Sequence, residues 1–178
     1  MFTDQGTLYQ LKVMDVPAGK LRDKGTPIEN LSRFDGTKEQ IVYLTGAKAM
    51  EGQTLVFATK MAMLKQVPAQ EFETNNRMVA ATRLQEGDEL LSVTPVSGEQ
   101  EVVLQTTSGV FLKFLLEEIS LLKKNSKGVR GIKLAKGEEL EALYLLGENT
   151  TCLYKGREVH LNRLRLGKRD GKGSKARA

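Results

Sequence analysis

The feature that most limits what this chain can fold into is a repeat. Three segments align without gaps: TDQGTLYQLKVMDV (3–16), TKMAMLKQVPAQEF (59–72) and TTSGVFLKFLLEEI (106–119). Each carries a small turn residue (Gly6, Ala62, Gly109) and, two positions on, an aliphatic or aromatic one (Leu8, Leu64, Phe111). Each then reaches an acid followed by an apolar residue: Asp15-Val16, Glu71-Phe72, Glu118-Ile119. The small residues are 56 and 47 positions apart, and a looser fourth copy, LYKGREVHLNRLRL (153–166), places Gly156 another 47 on. A fixed period of this length signals units that cannot bury their apolar face alone and must stack.

The intervening stretches align as well. KGTPIENL (24–31), RMVAATRL (77–84) and KGVRGIKL (127–134) each begin on a basic residue and continue into an apolar pattern. DGTKEQIVYL (35–44), EGDELLSVTPV (86–96) and KGEELEALYLL (136–146) each lead from a charged, glycine-containing turn into a strand-like run. Short Val-, Ile-, Leu-, Phe- and Tyr-rich runs separated by turn residues read as strands, and no long stretch keeps a 3.6-residue period. Only EFETNNR (71–77) and LLEEISLLKKN (115–125) admit a helical turn. Four strands in about 47 residues is the arithmetic of a propeller-like blade. The expectation is therefore an all-β chain of three full blades and a fourth begun near residue 151, in one domain. Repeats begin near residues 1, 55, 102 and 151, the domain runs over 1–166, and 167–178 form a basic flexible tail.

Charge narrows the function classes. The chain is +5 overall, but residues 155–178 hold nine Lys or Arg against Glu158 and Asp170, leaving the rest at −2. A near-neutral body with a basic end points to polyanion contact at chosen places. No run of about 18 apolar residues exists, so a helical membrane span is not expected. The N-terminus lacks the basic and apolar regions of a signal peptide. The single Cys152 excludes an internal disulfide and suits a reducing cytoplasm; its strand-like setting, TTCLY, reads as a buried small hydrophobe.

At this point the residues carry a family resemblance. FTDQGTLYQLKVMDVPAGKLRDKGTPIENL (2–31) resembles the F-T-x-x-G-x-x-Y-x-L-K … G-T-x-I-x-N-L segment in the C-terminal domain of bacterial type IIA topoisomerase A subunits, from DNA gyrase and topoisomerase IV. NSKGVRGIKLAKGEELEAL (125–143) resembles that domain's later G-x-x-G-V-x-G-I-K-L-x-x-G-D segment. The resemblance covers nearly the whole chain. It implies a β-pinwheel, in which blades exchange strands and duplex DNA bends around a basic outer edge. It also implies two protein partners: the catalytic part of the parent A chain and the ATPase B chain. The gyrase basic box, Q-R-R-G-G-K-G, is absent, with echoes at LRDKGTP (21–27), KNSKGVRG (124–131) and KRDGKGSK (168–175). Family domains commonly carry more blades than this chain supplies; an excised fragment, which the start in mid-repeat fits, and a shorter topoisomerase IV-like version are the two readings.

A DNA-bending surface needs Lys and Arg spaced along a path, because phosphate contacts release counterions without reading sequence. Glycine beside them lets backbone approach a phosphate. The candidates are Arg22 and Lys24 beside Gly25, then Lys65 and Arg77, then the loop residues Lys123, Lys124, Lys127 and Arg130. Lys155 and Arg157 follow in the fourth repeat, and Lys168, Arg169, Lys172 and Lys175 in the tail. The tail does not make a phosphate loop, since Gly173 follows Lys172 where Ser or Thr is required.

Catalysis finds no support. The single histidine, His160, has no Cys or acid at ligand spacing, and one Cys with one His makes no structural zinc site. Tyr9, Tyr43, Tyr144 and Tyr154 read as strand residues, none within the strand-passage motif of the parent family. Asp15, Glu71 and Glu118 are expected to pair with strand-edge basic residues or to end strands. Neither cofactor nor metal is expected. A β-rich RNA-binding or ribosome-associated protein is the alternative, disfavoured because aromatics do not flank the basic residues. A protein-interaction propeller is weaker still, with no Trp in the chain.

Overall fold

The computed structural model describes residues 1–147 and 150–175. Four antiparallel hairpins follow one another: β1 (Phe2–Thr3) with β2 (Thr7–Tyr9), β4 (Thr54–Thr59) with β5 (Met63–Pro68), β8 (Glu101–Thr106) with β9 (Val110–Leu115), and β12 (Thr151–Tyr154) with β13 (Arg157–His160). At the first strand of the first three hairpins a later strand of the same repeat pairs: β3 (Ile41–Tyr43), β7 (Leu90–Pro95) and β11 (Leu140–Leu146). The second strand is covered by a strand from the next repeat. β6 (Met78–Ala80) pairs with β2, β10 (Val129–Arg130) with β5, and β14 (Ser174–Lys175) with β9. The result is three four-stranded sheets and one two-stranded sheet, each full sheet completed by its successor. This strand exchange is the pinwheel arrangement expected from the resemblance.

The repeat's small residue earns its place in the hairpin turn. Gly6, Ala62, Gly109 and Gly156 all have positive φ, at 72°, 59°, 78° and 75°. Ala62 bears a left-handed cost of roughly 1–2 kcal/mol, partly offset by its fully buried methyl. The fourth turn is tighter: Lys155 and Gly156 are both at positive φ, the two-residue type I′ pattern. That shortens the hairpin relative to its predecessors.

The apolar runs alternate between two cores. On β4, Leu55 and Phe57 face the first sheet with Phe2, Leu8 and Phe72, while Val56 and Ala58 face the third with Val102, Leu104 and Phe114. On β8, Val103 turns the other way, toward Phe111 on β9 and Leu161 just after the last hairpin. Middle sheets buried on both faces explain why LVFA and VVL lack polar alternation. Phe2 packs edge-on to Phe57 and Phe72, with ring centroids 5.8 and 5.2 Å away; each such buried ring contributes about 2–3 kcal/mol.

Short 3-10 turns close the hairpins at Val13–Asp15, Ala69–Phe72, Leu116–Glu118 and Leu161–Arg163. The two segments read as admitting helical turns overlap the second and third. A further 3-10 turn at Ile28–Asn30 and one α-helical turn, α1 (Ala47–Met50), were not legible. Side chains tie each hairpin to the following turn. Gln10 Nε2 donates to Phe72 O (3.3 Å), Gln66 Nε2 to Ile119 O (2.7 Å), and Lys113 Nζ to Asn162 O (3.2 Å).

The C-terminal segment departs from the flexible tail expected. Ser174 and Lys175 pair with Phe111 and Val110, Gly167 N donates to Lys113 O (2.8 Å), and Asp170 N to Gly131 O (2.7 Å). An unfilled edge of β9 offers hydrogen bonds that solvent would otherwise satisfy, so the segment is held through Lys175. Residues 176–178 of that expected tail lie outside the described residues. No helix among the described residues is long and apolar enough to cross a membrane.

Candidate nucleic-acid interface

The three recurring acids stand at the joints between repeats, each against a basic residue of the next. Asp15 Oδ2 lies 3.2 Å from Arg77 Nη2. Glu71 O accepts from Lys124 Nζ at 2.9 Å. Glu118 Oε2 accepts from the Arg169 amide (2.9 Å) and Glu118 O from Arg169 Nε (2.8 Å). Among the described residues only Asp15 pairs its carboxylate with a basic side chain as expected; Glu71 and Glu118 meet Lys124 and Arg169 through main-chain amides and carbonyls. Their function is to fix the segment that delivers the exchanged strand.

That pairing divides the fourteen candidate phosphate contacts. Arg77, Lys124 and Arg169 are tied to acids or carbonyls at the joints. Arg130 is held by Asp170 in a fork, Nε to Oδ1 at 2.5 Å and Nη2 to Oδ2 at 3.0 Å. Hydrogen bonding to Asp170 raises the Arg130 pKa, and the same bond lowers that of Asp170. The charge of Arg130 is thereby countered locally by a carboxylate 40 residues away. Lys65 does not lie on the surface at all. It is 2% exposed, with Nζ donating to the carbonyls of Lys124 (2.5 Å) and Ser126 (2.9 Å) and lying 5.4 Å from the Phe57 ring centre. Burial pushes its pKa down to about 8, a shift the charge of Glu71 opposes.

The other nine remain exposed and, among the described residues, outside any ion pair. They fall in four groups. Lys123 and Lys127 flank the second joint. Lys168, Lys172 and Lys175 flank the third, and Lys155 and Arg157 lie on the fourth hairpin. Arg22 and Lys24 sit in the long first loop, away from any exchanged strand. Arg163 and Arg165 are exposed cations that sequence reasoning left out of the candidate set. Arg163 occupies the last position of its 3-10 turn, where Asp15, Glu71 and Glu118 stand near the ends of theirs. The sign reversal was the available signal.

The glycines beside these cations do structural work first. Gly128 has φ +90°, and a Cβ there would lie 2.5 Å from Leu64 O. Gly173, at φ +68°, would put one 2.7 Å from Phe111 O. Both let an exchanged strand press against its acceptor. A groove of about 570 Å³ runs between Phe111–Lys113 and Leu164–Ser174, bordered by Arg165, Lys168 and Lys172.

His160 is exposed, and no group of three or more His, Cys, Asp or Glu side chains among the described residues could hold a metal. Cys152 is half-buried, not fully buried, with its thiol 3.8 Å from Gln105 Oε1 and its pKa raised by burial.

Comparison with known proteins agrees with this architecture. The model of the family "DNA gyrase C-terminal domain, beta-propeller" matches residues 53–97 and 100–146. The DNA gyrase A protein of Lawsonia intracellularis is 30% identical over 182 residues, spanning 97% of this chain and 22% of the relative. That of Klebsiella oxytoca is 33% identical over 143 residues, 80% of this chain and 16% of the relative. The chain thus spans about a fifth of the length of the curated relatives it matches. Among solved structures, the C-terminal domain of DNA topoisomerase IV superposes with a TM-score of 0.84 at 21% identity, covering 97% of this chain and 56% of that one. The E. coli ParC C-terminal domain gives 0.80 at 19% identity, covering 99% and 75%. Matched over more than half its length, and folded as strand-exchanged sheets, the chain belongs to the DNA gyrase C-terminal domain family.

Proposed function

We propose that this chain is a non-catalytic module that binds and bends duplex DNA, presenting a segment for strand passage by the rest of a bacterial type IIA topoisomerase. Its working partners are then the catalytic part of the parent A chain and the ATPase B chain, in the cytoplasm. The observation that carries the reading is the placement of unpaired lysines at successive joints. Lys123 and Lys127 precede one exchanged strand, Lys168 and Lys172 precede the next, and Lys175 lies in it. Free cations at two successive joints suit a polyanion followed along several units and supply affinity without base readout.

The test is duplex binding across a salt series. Reversing Lys127 and Lys172 to Glu is expected to weaken binding and lower the slope of log K against log salt by about 0.9 per lost contact. An unchanged slope removes these joints from the interface. Ligating nicked circular DNA with increasing protein then separates wrapping from bending: a linking-number shift means a wrap of defined hand, and binding without a shift means bending or docking alone.

A further inference from the structure

Lys65 and Lys113 are both buried and both donate to main-chain carbonyls of the next repeat, but Lys113 is also paired with Glu101, whereas Lys65 spends its ammonium on carbonyls alone. The position three residues past the hairpin's small residue is Tyr9 in the first repeat, Lys65 in the second and Leu112 in the third. Tyr9 spends its hydroxyl on Glu39, 2.5 Å away, and Leu112 is a core residue. Of the three, only Lys65 places an ammonium under the segment that leads to the exchanged strand, with two main-chain carbonyls of loop 123–127 as its acceptors and no carboxylate in salt-bridge range.

Those two bonds orient the rest of the loop. In a trans peptide the C=O of one residue and the N–H of the next point in opposite directions, and no peptide bond here is cis. Drawing the carbonyls of Lys124 and Ser126 inward to Lys65 therefore turns the N–H groups of Asn125 and Lys127 outward. Both residues are exposed, and neither amide has an acceptor among the described residues. Ser126 Oγ and the Ser126 amide both donate to Lys123 O (2.7 and 3.1 Å), locking the turn between them. Two outward amides flanked by the exposed ammonium groups of Lys123 and Lys127 form an oxyanion-binding concavity.

We propose that loop 123–127 is a phosphate site in which the main-chain amides of Asn125 and Lys127 act with the Lys123 and Lys127 side chains, and that buried Lys65 is its positioning residue. The ligand is a backbone phosphodiester, which rests on the duplex-binding reading above. The chemistry is independent of base sequence, and it puts a fixed, main-chain contact point in the middle of a path otherwise made of mobile lysines.

The experiment follows backbone amide resonances of the 178-residue chain during titration with a 20-base-pair duplex. The amides of Asn125 and Lys127 are expected to move downfield along the same curve as binding. In Lys65→Met, which keeps both surface lysines, these shifts are expected to disappear and Kd to rise about tenfold. Duplex binding that leaves the two amides unmoved overturns the site. A Lys65→Met protein that binds and shifts like the wild type overturns the positioning role. If Lys65→Met does not fold, Lys65→Leu, which likewise removes the donor, replaces it and is judged on the same two readings. If the wild type binds no duplex, the DNA reading falls. Titration with inorganic phosphate then decides the loop by itself: shifts at Asn125 and Lys127 keep an oxyanion site, and their absence ends the proposal.

Discussion

Two stretches of this chain are written almost alike and end differently: KGTPIENL at 24–31 and KGVRGIKL at 127–134. The second becomes β10 on the edge of β5, donates Gly131 N to Ala62 O at 2.8 Å, and buries Ile132 completely. The first stays exposed through Gly25 and Thr26 and winds into a 3-10 turn at Ile28–Asn30. Gly25 and Gly128 share a positive φ, 70° and 90°, so the local backbone instruction is common to both. What differs is the environment. Among the described residues the later segment meets an acceptor edge and the buried Lys65, whereas the earlier one, in the first repeat, has neither beside it and carries Pro27, which lacks an N–H, where Arg130 stands. A two-residue strand is thus a property of the sheet that receives it.

Substitution at the shared glycine breaks the comparison hardest. Gly128→Ala forces a Cβ to within 2.5 Å of Leu64 O at a strained φ, and is expected to cost about 3 kcal/mol or more in a urea melt. Lys65 gives the next effect, through pH. Its folded pKa of about 8 lies below the usual lysine value of 10.5, so the unfolded chain binds the extra proton between those two values. Stability is therefore expected to rise with pH above 8, by on the order of 3 kcal/mol in full, and Lys65→Met removes this rise. The comparison is best read below pH 10, because burial raises Tyr9 to about 12 and also raises Tyr144. Above pH 10 those tyrosines favour unfolding.

Gly131→Ala keeps an ordinary φ but aims a methyl at Leu64 Cδ1 (2.5 Å) and Leu104 Cδ1 (2.7 Å). Side chains yield more easily than backbone, so about 1–3 kcal/mol is expected in the same melt. Gly25→Ala sharpens the contrast from the other side. Nothing lies within 4 Å of its Cβ position, and a left-handed cost borne by an exposed loop is expected to move the global midpoint by less than about 0.5 kcal/mol. An equal loss at Gly25 and Gly128 would mean that the first loop, too, is held as a strand.

The sequence made the hairpins and their turns legible because Gly6, Ala62, Gly109 and Gly156 mark positive φ and the apolar runs mark sheets buried on both faces. The resemblance supplied strand exchange; periodicity could not, since Val129–Arg130 and Ser174–Lys175 are too short and polar to show a pattern. The interface was legible as a set of cations and not as a set of free ones. Lys65 looks like a surface residue until two carbonyls 59 and 61 positions away enclose it. Arg130 looks free until Asp170 arrives with a segment expected to be loose. Side-chain partners across repeats are written at distances that a local reading does not reach.

Strand exchange also sets a timetable. The third hairpin ends at Leu115, but the strand that seals it begins at Ser174, roughly 60 residues later. At a synthesis rate of about 5–20 residues per second, that edge stands open for about 3–12 s on the ribosome, and the two earlier sheets wait in the same way. Each repeat must leave the ribosome before the one ahead of it is finished, so maturation runs one unit behind translation. An unpaired β edge invites pairing with other chains, and here that exposure belongs to the nascent polypeptide.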